Sequence, residues 1–209
     1  MVLERYRKGW NGFLSPFASW LHKCGMTANM VTVVSMGFAL VAAVAFALVS
    51  DDRSWLLFAG AAAVALNAIL DGIDGRLARL TNTESKRGDY LDHVIDRYAD
   101  IAILLGLSLS PLGDLRWGIF AIVGTFLTSY MGTQAQALGL GRNYAGWLGR
   151  ADRLVILISV PTLTFLIANL GIVVPFDQKP LVLMLAYFAI VGNITALQRF
   201  WSGWRQLRD

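Results

Sequence analysis

Six long apolar segments limit the folds open to this sequence. Along the 209 residues they lie at about 30–50, 54–78, 90–112, 117–139, 154–175 and 181–198. A helix needs roughly 20 apolar residues to cross the hydrocarbon core of a bilayer, and these segments reach or approach that length. Only 15% of the residues are charged, whereas an ordinary soluble domain has roughly 25%. We therefore predict an all-α membrane protein whose single domain, residues 1–209, contains six transmembrane helices.

Residues 1–28 differ from these segments because basic and aromatic side chains are interleaved in them. The sequence MVLERYRKGWNGFLSPFASWLHKCG has the composition of an amphipathic helix that lies in the membrane surface. It lacks the cleavage pattern of a removable signal peptide, so we expect it to be retained. Cys24 is the only cysteine, which leaves no intrachain disulfide to expect.

Positive charges are concentrated at one end of the predicted helices. With six spans, the two tails and the second and fourth loops fall on one side, and fifteen of the 18 Lys and Arg residues lie on that side, within these parts or in the adjoining helix ends; the exceptions are Arg53, Arg116 and Lys179. Cytoplasmic loops collect Lys and Arg. We therefore predict a multi-pass protein of the cell membrane whose two termini, and the site described next, are cytoplasmic.

Four aspartates within the apolar segments have helical spacing. Asp71 and Asp74 are three residues apart, Asp92 and Asp96 are four apart, and the short sequence TNTESKRGDY connects the two pairs. Each pair therefore shares one helix face, and adjoining antiparallel helices would bring the pairs together. An aspartate at the centre of a span costs about 2.5 to 3.5 kcal/mol on insertion scales. Four converging carboxylates supply the hard oxygen ligands that Mg²⁺ or Mn²⁺ prefers.

The four acids are also compatible with two roles that need no bound Mg²⁺ or Mn²⁺ centre. Arg76, Arg79 and Arg97 would form ion pairs with them in a purely structural bundle. Intramembrane acids also line cation pathways in transporters, although transporters usually carry them near the midplane and often contain inverted repeats. His93 is next to Asp92, and we expect its side chain to point away from the shared face.

Small residues and one arginine complete a single pattern, Asp71-x2-Asp74-Gly75-x2-Ala78-Arg79-x8-Gly88-x3-Asp92-x3-Asp96. It resembles the signature of the CDP-alcohol phosphotransferases and matches it at every fixed position. The resemblance implies six transmembrane helices, a CDP-lipid substrate and two divalent cations, Mg²⁺ or Mn²⁺. It also implies a homodimer in the lipid bilayer, with no nucleic-acid partner.

The resemblance assigns roles to individual residues. The four aspartates would bind the cations, and Asp96 would be the general base, a ligand, or both. The CDP pocket would be lined by Gly75, Ala78, Arg79 and Gly88. A second family pattern, Pro-Asn followed by Thr, corresponds here to TANMVT, in which Ala28 replaces the proline. Asn29 and Thr32 are therefore further candidates for nucleotide contacts.

The acceptor alcohol is indicated by arginines in the second half of the chain. Cationic side chains at the cytoplasmic helix ends would bind an acceptor that carries a phosphate. The general excess of Lys and Arg on the cytoplasmic side also explains them. These residues are Arg142, Arg150, Arg153 and Arg199. LGRADRLVIL and ITALQRF resemble the branch of the family that uses inositol phosphate. Gly132, Thr133 and Gln134 stand where some branches have arginines. Inositol phosphate is the predicted acceptor, and glycerol 3-phosphate and serine are the alternatives.

Overall fold

The protein is described by a computed structural model over residues 7–141, 145–170 and 180–207, with side chains from residue 14 onward except residue 51. Over these residues the chain forms seven α-helices and one short 3-10 turn at Asp51–Arg53. The helices are α1 Arg7–Lys23, α2 Ala28–Ala47, α3 Trp55–Leu80, α4 Lys86–Leu109, α5 Leu115–Ala137, α6 Arg150–Asn169 and α7 Pro180–Gln206. The prediction of an all-α protein is confirmed.

Several helices begin at side chains that cap them. Thr27 precedes α2, and its hydroxyl accepts a hydrogen bond from the backbone N–H of Met30 at 3.3 Å. Asp114 precedes α5 and accepts from two backbone N–H groups of its first turn. Such caps satisfy the backbone donors that have no partner inside the helix. Ala28 is thus the first residue of α2, a position that proline also suits.

The helices pack around two apolar clusters. In the larger cluster α2 contacts α3 and α4, and α5 contacts α7, around fully buried side chains such as Phe46, Leu107 and Phe188. At Gly106, α4 comes so close to α2 that a Cβ would overlap the backbone of Ala43. In the smaller cluster α1 packs against α3 through Leu14. The packing of α1 brings this helix to the end of α3 that carries the aspartates.

Four helices of the described residues are long and apolar enough to cross a membrane, namely α2, α3, α6 and α7. Many of their outward side chains are apolar and exposed, including Val41, Phe58 and Leu163, as expected of a surface that faces lipid. The structure therefore supports a membrane protein with four candidate spans. Helix α4 does not meet the same criterion, and it carries several charged residues in its first half.

Candidate active site

The site is built on the hairpin of α3 and α4. Asn82 has a positive φ of 54°, and the N–H of Thr83 donates to the carbonyl of Ala78 at 3.0 Å. These features form a Schellman turn, in which a left-handed residue after the helix lets the chain reverse. Ser85 then caps α4 by accepting from the N–H of Gly88 at 3.1 Å. The two aspartate pairs are consequently carried side by side.

Three of the four predicted aspartates gather at one point. One carboxylate oxygen from each of Asp71, Asp92 and Asp96 lies within 4.8 Å of the others. Asp96 is buried, whereas Asp71 and Asp92 are half-buried. Oδ1 of Asp92 is buried without a hydrogen-bond partner among the described residues. Three carboxylates therefore converge at the junction of α3 and α4, and a buried oxygen of one of them has no partner among the described residues.

Arg150, the first residue of α6, inserts its guanidinium between two of these carboxylates. Its Nη1 lies 2.9 Å from Oδ2 of Asp71 and 2.7 Å from Oδ2 of Asp96. Its Nη2 contacts the second oxygen of Asp96. Arg150 was predicted to bind the acceptor alcohol, and its contact with the acids was not foreseen. No local sequence signal could have indicated it, because the partners are 79 and 54 residues away.

Asp74, the fourth predicted ligand, is not one of the three carboxylates that converge. It is 5% exposed, and its Oδ2 accepts a hydrogen bond from the hydroxyl of Thr32 at 2.6 Å. Its Oδ1 accepts from the backbone N–H of Gly75. Thr32 was predicted as a nucleotide contact, and the structure adds a bond that fixes the Asp74 side chain. Helix α2 thus helps to orient an acid of α3.

A pocket opens beside the acids, between the start of α2 and the hairpin. Its lining includes all six residues predicted to contact CDP, together with two of the predicted metal ligands; they are Asn29, Thr32, Gly75, Ala78, Arg79, Gly88, Asp74 and Asp92. A Cβ at Gly75 would meet only the guanidinium of Arg79, at 3.7 Å or more. The absence of a side chain at Gly75 therefore leaves free space in the pocket rather than room for another helix.

The remaining acceptor arginines lie in different surroundings. Arg153 is 4% exposed, and its Nη2 donates to Asp100 at 2.9 Å. Arg199 donates to the backbone carbonyls of Ala145 and Thr128, which ties α7 to α5 and to the segment before α6. Arg142 lies outside the described residues. Arg150, in contrast, contacts two of the predicted metal ligands directly.

The basic residues that would pair with the acids in a purely structural bundle do so only in part. Arg76 donates to the hydroxyl of Ser15 in α1 at 2.9 and 3.1 Å. Arg97 is 3.7 Å from Asp96 and 3.8 Å from Asp100. His93 lies 2.8 Å from the backbone carbonyl of Asp89 and 4.0 Å from the Asp92 carboxylate. Arg97 therefore partly neutralises the negative charge of Asp96 and Asp100. The contacts of hydrogen-bond length to Asp71 and Asp96 are made by Arg150.

The fold and this site define a class of membrane transferase, and the comparisons with known proteins agree. The model of the CDP-alcohol phosphatidyltransferase family matches residues 25–197. The chain belongs to this family, and it is therefore a metal-dependent membrane enzyme of phospholipid synthesis that takes a CDP-lipid as substrate. The family assignment from the aspartate pattern is confirmed.

Several relatives carry more specific names. The chain is 31% identical to a phosphatidylinositol phosphate synthase of Cutibacterium acnes over 95% of both chains. It is 34% identical to an archaetidylinositol phosphate synthase of Pyrococcus horikoshii over 66% of this chain and 70% of the relative. The structure resembles the phosphatidylinositol phosphate synthase of Mycobacterium tuberculosis with CDP-DAG bound, with a TM-score of 0.74, 27% identity, and coverage of 91% and 93% of the two chains. The same mycobacterial protein has also been crystallised with manganese and citrate.

The donor set fits divalent cations. Mg²⁺ binds oxygens at 2.0 to 2.1 Å, so ligands on opposite sides of one ion are about 4 Å apart. The three carboxylate oxygens lie within 4.8 Å of one another, which small side-chain movements would reduce to that spacing. The unpartnered Oδ1 of Asp92 is a buried acceptor that a cation would satisfy. Cys24, the single thiol of the sequence, is exposed and is not among the residues that line the pocket.

Proposed function

We propose that the enzyme transfers a phosphatidyl-type group from a CDP-lipid to inositol phosphate and releases CMP. The observation that carries this proposal is the acidic cluster of Asp71, Asp92 and Asp96 beside a pocket lined by Gly75 and Gly88. An acceptor that carries a phosphate is favoured by the arginines at the start of α6 and near the end of α7. Inositol phosphate in particular is favoured by the resemblance of LGRADRLVIL and ITALQRF to the branch of the family that uses it. The names of the bacterial and archaeal relatives agree with this acceptor.

Within this proposal, one set of residues contacts the nucleotide and another set binds the cations. Gly75, Ala78 and Gly88 leave space for CDP, and Arg79 contacts its diphosphate. Asn29 and Thr32 of α2 complete the nucleotide pocket. The four predicted aspartates, Asp71, Asp74, Asp92 and Asp96, hold the two cations, with Asp74 kept in place by Thr32. When bound, the cations draw negative charge from the diphosphate and stabilise the departing CMP.

The proposed reaction is a substitution at the phosphorus that bears the lipid. A hydroxyl oxygen of inositol phosphate forms a bond to this phosphorus, and the bond to the oxygen of the CMP phosphate breaks. The hydroxyl proton passes to a carboxylate, for which Asp96 is our candidate, and CMP leaves with the bonding electron pair. The lipid retains one phosphate, now esterified to inositol phosphate.

The proposal also includes an arrangement in the membrane. Helices α2 to α7 each cross the bilayer, α1 lies at its cytoplasmic surface, and the whole chain forms one domain. Helix α4 is acceptable as a span because its charges cluster in the half that contacts the site, where polar partners surround them. Homodimerisation remains a prediction of the family resemblance.

The proposed acceptor is tested by CMP release from the purified protein with Mg²⁺ or Mn²⁺. CDP-diacylglycerol and its archaeal ether analogue are each offered with myo-inositol phosphate, glycerol 3-phosphate or serine in parallel. We expect release with inositol phosphate alone. Release with another acceptor would retain the reaction class and replace the acceptor. No release with any acceptor, in protein that binds Mn²⁺, would contradict the proposed function.

A further inference from the structure

We propose that Arg150 is an internal counter-ion that competes with the cations for Asp71 and Asp96. Its guanidinium contacts both oxygens of Asp96 and Oδ2 of Asp71. Asp71 and Asp96 each offer one carboxylate oxygen to the candidate cation site, so the guanidinium lies on carboxylates that a bound cation would use. Arg150 is one of the arginines predicted to bind the acceptor alcohol, and the inference rests on the proposed cation site.

The contacts of Arg150 oppose binding of a cation between Asp71 and Asp96. A planar guanidinium that binds a carboxylate through two nitrogens takes the lone pair of each oxygen that faces it and places a positive charge there, as Arg150 does at Asp96. Its Nη1 also bridges to Asp71 within hydrogen-bond distance of both carboxylates. Cation ligands must lie within about 2.1 Å of the ion, so the guanidinium and the ion cannot share the space between Asp71 and Asp96.

Arg150 itself has bonding capacity that its present contacts do not use. Its Nε is buried without a hydrogen-bond partner among the described residues. Oδ1 of Asp92, the third acid of the cluster, is likewise unpartnered within the described part of the chain. Exchange of the guanidinium for a cation would give Asp92 a partner and would release Arg150. The released side chain remains at the first turn of α6, one turn before Arg153.

Replacement of the Arg150 guanidinium by a cation would couple cation binding to acceptor binding. Because the cation releases Arg150, cation binding makes the guanidinium N–H donors of this residue available to the phosphate of the acceptor. Binding linkage is reciprocal, so acceptor phosphate held by Arg150 would in turn strengthen cation binding. Arg150 would then bind the acceptor only when the cation site is filled.

The test is Mn²⁺ affinity, measured by electron paramagnetic resonance on the full-length purified protein. We expect Arg150→Gln to bind Mn²⁺ about tenfold more tightly than the unaltered protein, since the competing charged hydrogen bonds are worth about that factor. Arg153→Gln is the matched control, because it removes an equal charge one turn further along α6, where the guanidinium donates to Asp100. Its Mn²⁺ affinity should change by no more than about threefold.

Thermal melting and acceptor kinetics give independent readouts. Arg150→Gln should melt below the unaltered protein in chelator, and the difference should disappear in saturating Mn²⁺. The apparent KM for inositol phosphate should rise about tenfold in this variant while its Mn²⁺ affinity increases. A purely structural role of Arg150 would not weaken acceptor binding and strengthen Mn²⁺ binding in the same variant. If Arg150→Gln does not fold, Arg150→Lys should still bind Mn²⁺ more tightly than Arg153→Lys.

Each outcome decides between the inference and the function on which it rests. Equal Mn²⁺ affinities in the Arg150 and Arg153 variants would overturn the competition, even if CMP release with inositol phosphate is normal. Tighter Mn²⁺ binding in Arg150→Gln, without CMP release from any acceptor in the unaltered protein, would support the competition and overturn the function. Absence of Mn²⁺ binding from every variant would overturn both.

Discussion

At the scale of single residues, Asp92 gives the most direct test of the cation site. Its Oδ1 is buried without a hydrogen-bond partner among the described residues, so Asp92→Asn removes charge without removing a hydrogen bond from that oxygen. We expect CMP release to be lost and Mn²⁺ affinity to fall at least about tenfold, because an amide is a weaker ligand of hard cations than a carboxylate. The measurements are CMP release, Mn²⁺ binding and thermal melting.

Asp114→Asn is the control for the Asp92 variant. Asp114 caps α5 through one oxygen, and asparagine caps a helix equally well. This control should retain both CMP release and thermal stability. Asp71→Asn should behave like Asp92→Asn. Full CMP release in either of the two cluster variants would remove the cation centre from the mechanism.

Thr32 tests whether α2 positions a site carboxylate. Thr32→Val removes the hydroxyl that donates to Asp74 at 2.6 Å and leaves a buried acceptor without this donor. We expect a loss of about 1 to 3 kcal/mol in the free energy of unfolding, together with weaker Mn²⁺ binding. Thr32→Ser keeps the hydroxyl, so its free energy of unfolding and its Mn²⁺ affinity should stay close to those of the unaltered protein. The measurements are thermal melting and a Mn²⁺ titration.

The role of Thr32 as a nucleotide contact would give a different result. In that case Thr32→Val would raise the KM for the CDP-lipid and leave Mn²⁺ affinity unchanged. Thr162→Val is the control, because the hydroxyl of Thr162 donates to the carbonyl of Ile158 within its own helix. This control should change neither Mn²⁺ affinity nor the KM for the CDP-lipid.

At the scale of helices, two glycines with different surroundings separate substrate space from packing. Gly75 faces the pocket, and Gly106 lies against the backbone of Ala43. Gly75→Leu should keep or slightly raise thermal stability, because leucine favours a helix more than glycine does, while the CDP-lipid loses its space. Gly106→Leu should lower the free energy of unfolding by about 3 kcal/mol or more, because α2 and α4 must separate.

The two leucine variants serve as controls for each other. Melting temperature and CMP release at increasing CDP-lipid concentration are measured for both. The expected pattern is a stable Gly75 variant with a strongly raised KM and an unstable Gly106 variant. A Gly75 variant with normal KM would show that the pocket does not receive the nucleotide.

The same hairpin shows which parts of the site the sequence could predict. The pairs Asp71 with Asp74 and Asp92 with Asp96 follow from helical spacing and from a short turn, which are local properties. The bond from Thr32 to Asp74 spans 42 residues. The contact from Arg150 to Asp71 spans 79. Such contacts depend on how α2 and α6 pack against the hairpin, and spacing along the chain contains no measure of that packing.

At the scale of the whole molecule, the acids and the basic residues meet at one end. The start of α2, the end of α3 and the start of α4 line the pocket, and the start of α6 contributes Arg150. The all-α fold could be predicted from apolar length, but among the described residues the length and composition of only four helices support a span. The site requires polar residues in α4, and those residues lower the hydropathy on which a span is recognised.

The orientation of this end is tested with Cys24, the only cysteine of the chain. Cys24 is exposed between α1 and α2, at the same end as the pocket, whereas Asp52 is exposed in the 3-10 turn at the far end of α2. Because basic residues face the cytoplasm, a membrane-impermeant maleimide should not modify Cys24 in spheroplasts but should modify it in inverted vesicles. The double variant Cys24→Ser, Asp52→Cys should give the opposite pattern. Modification of Cys24 in spheroplasts would place the site on the outer face, where a cytoplasmic supply of CDP-lipid could not serve it.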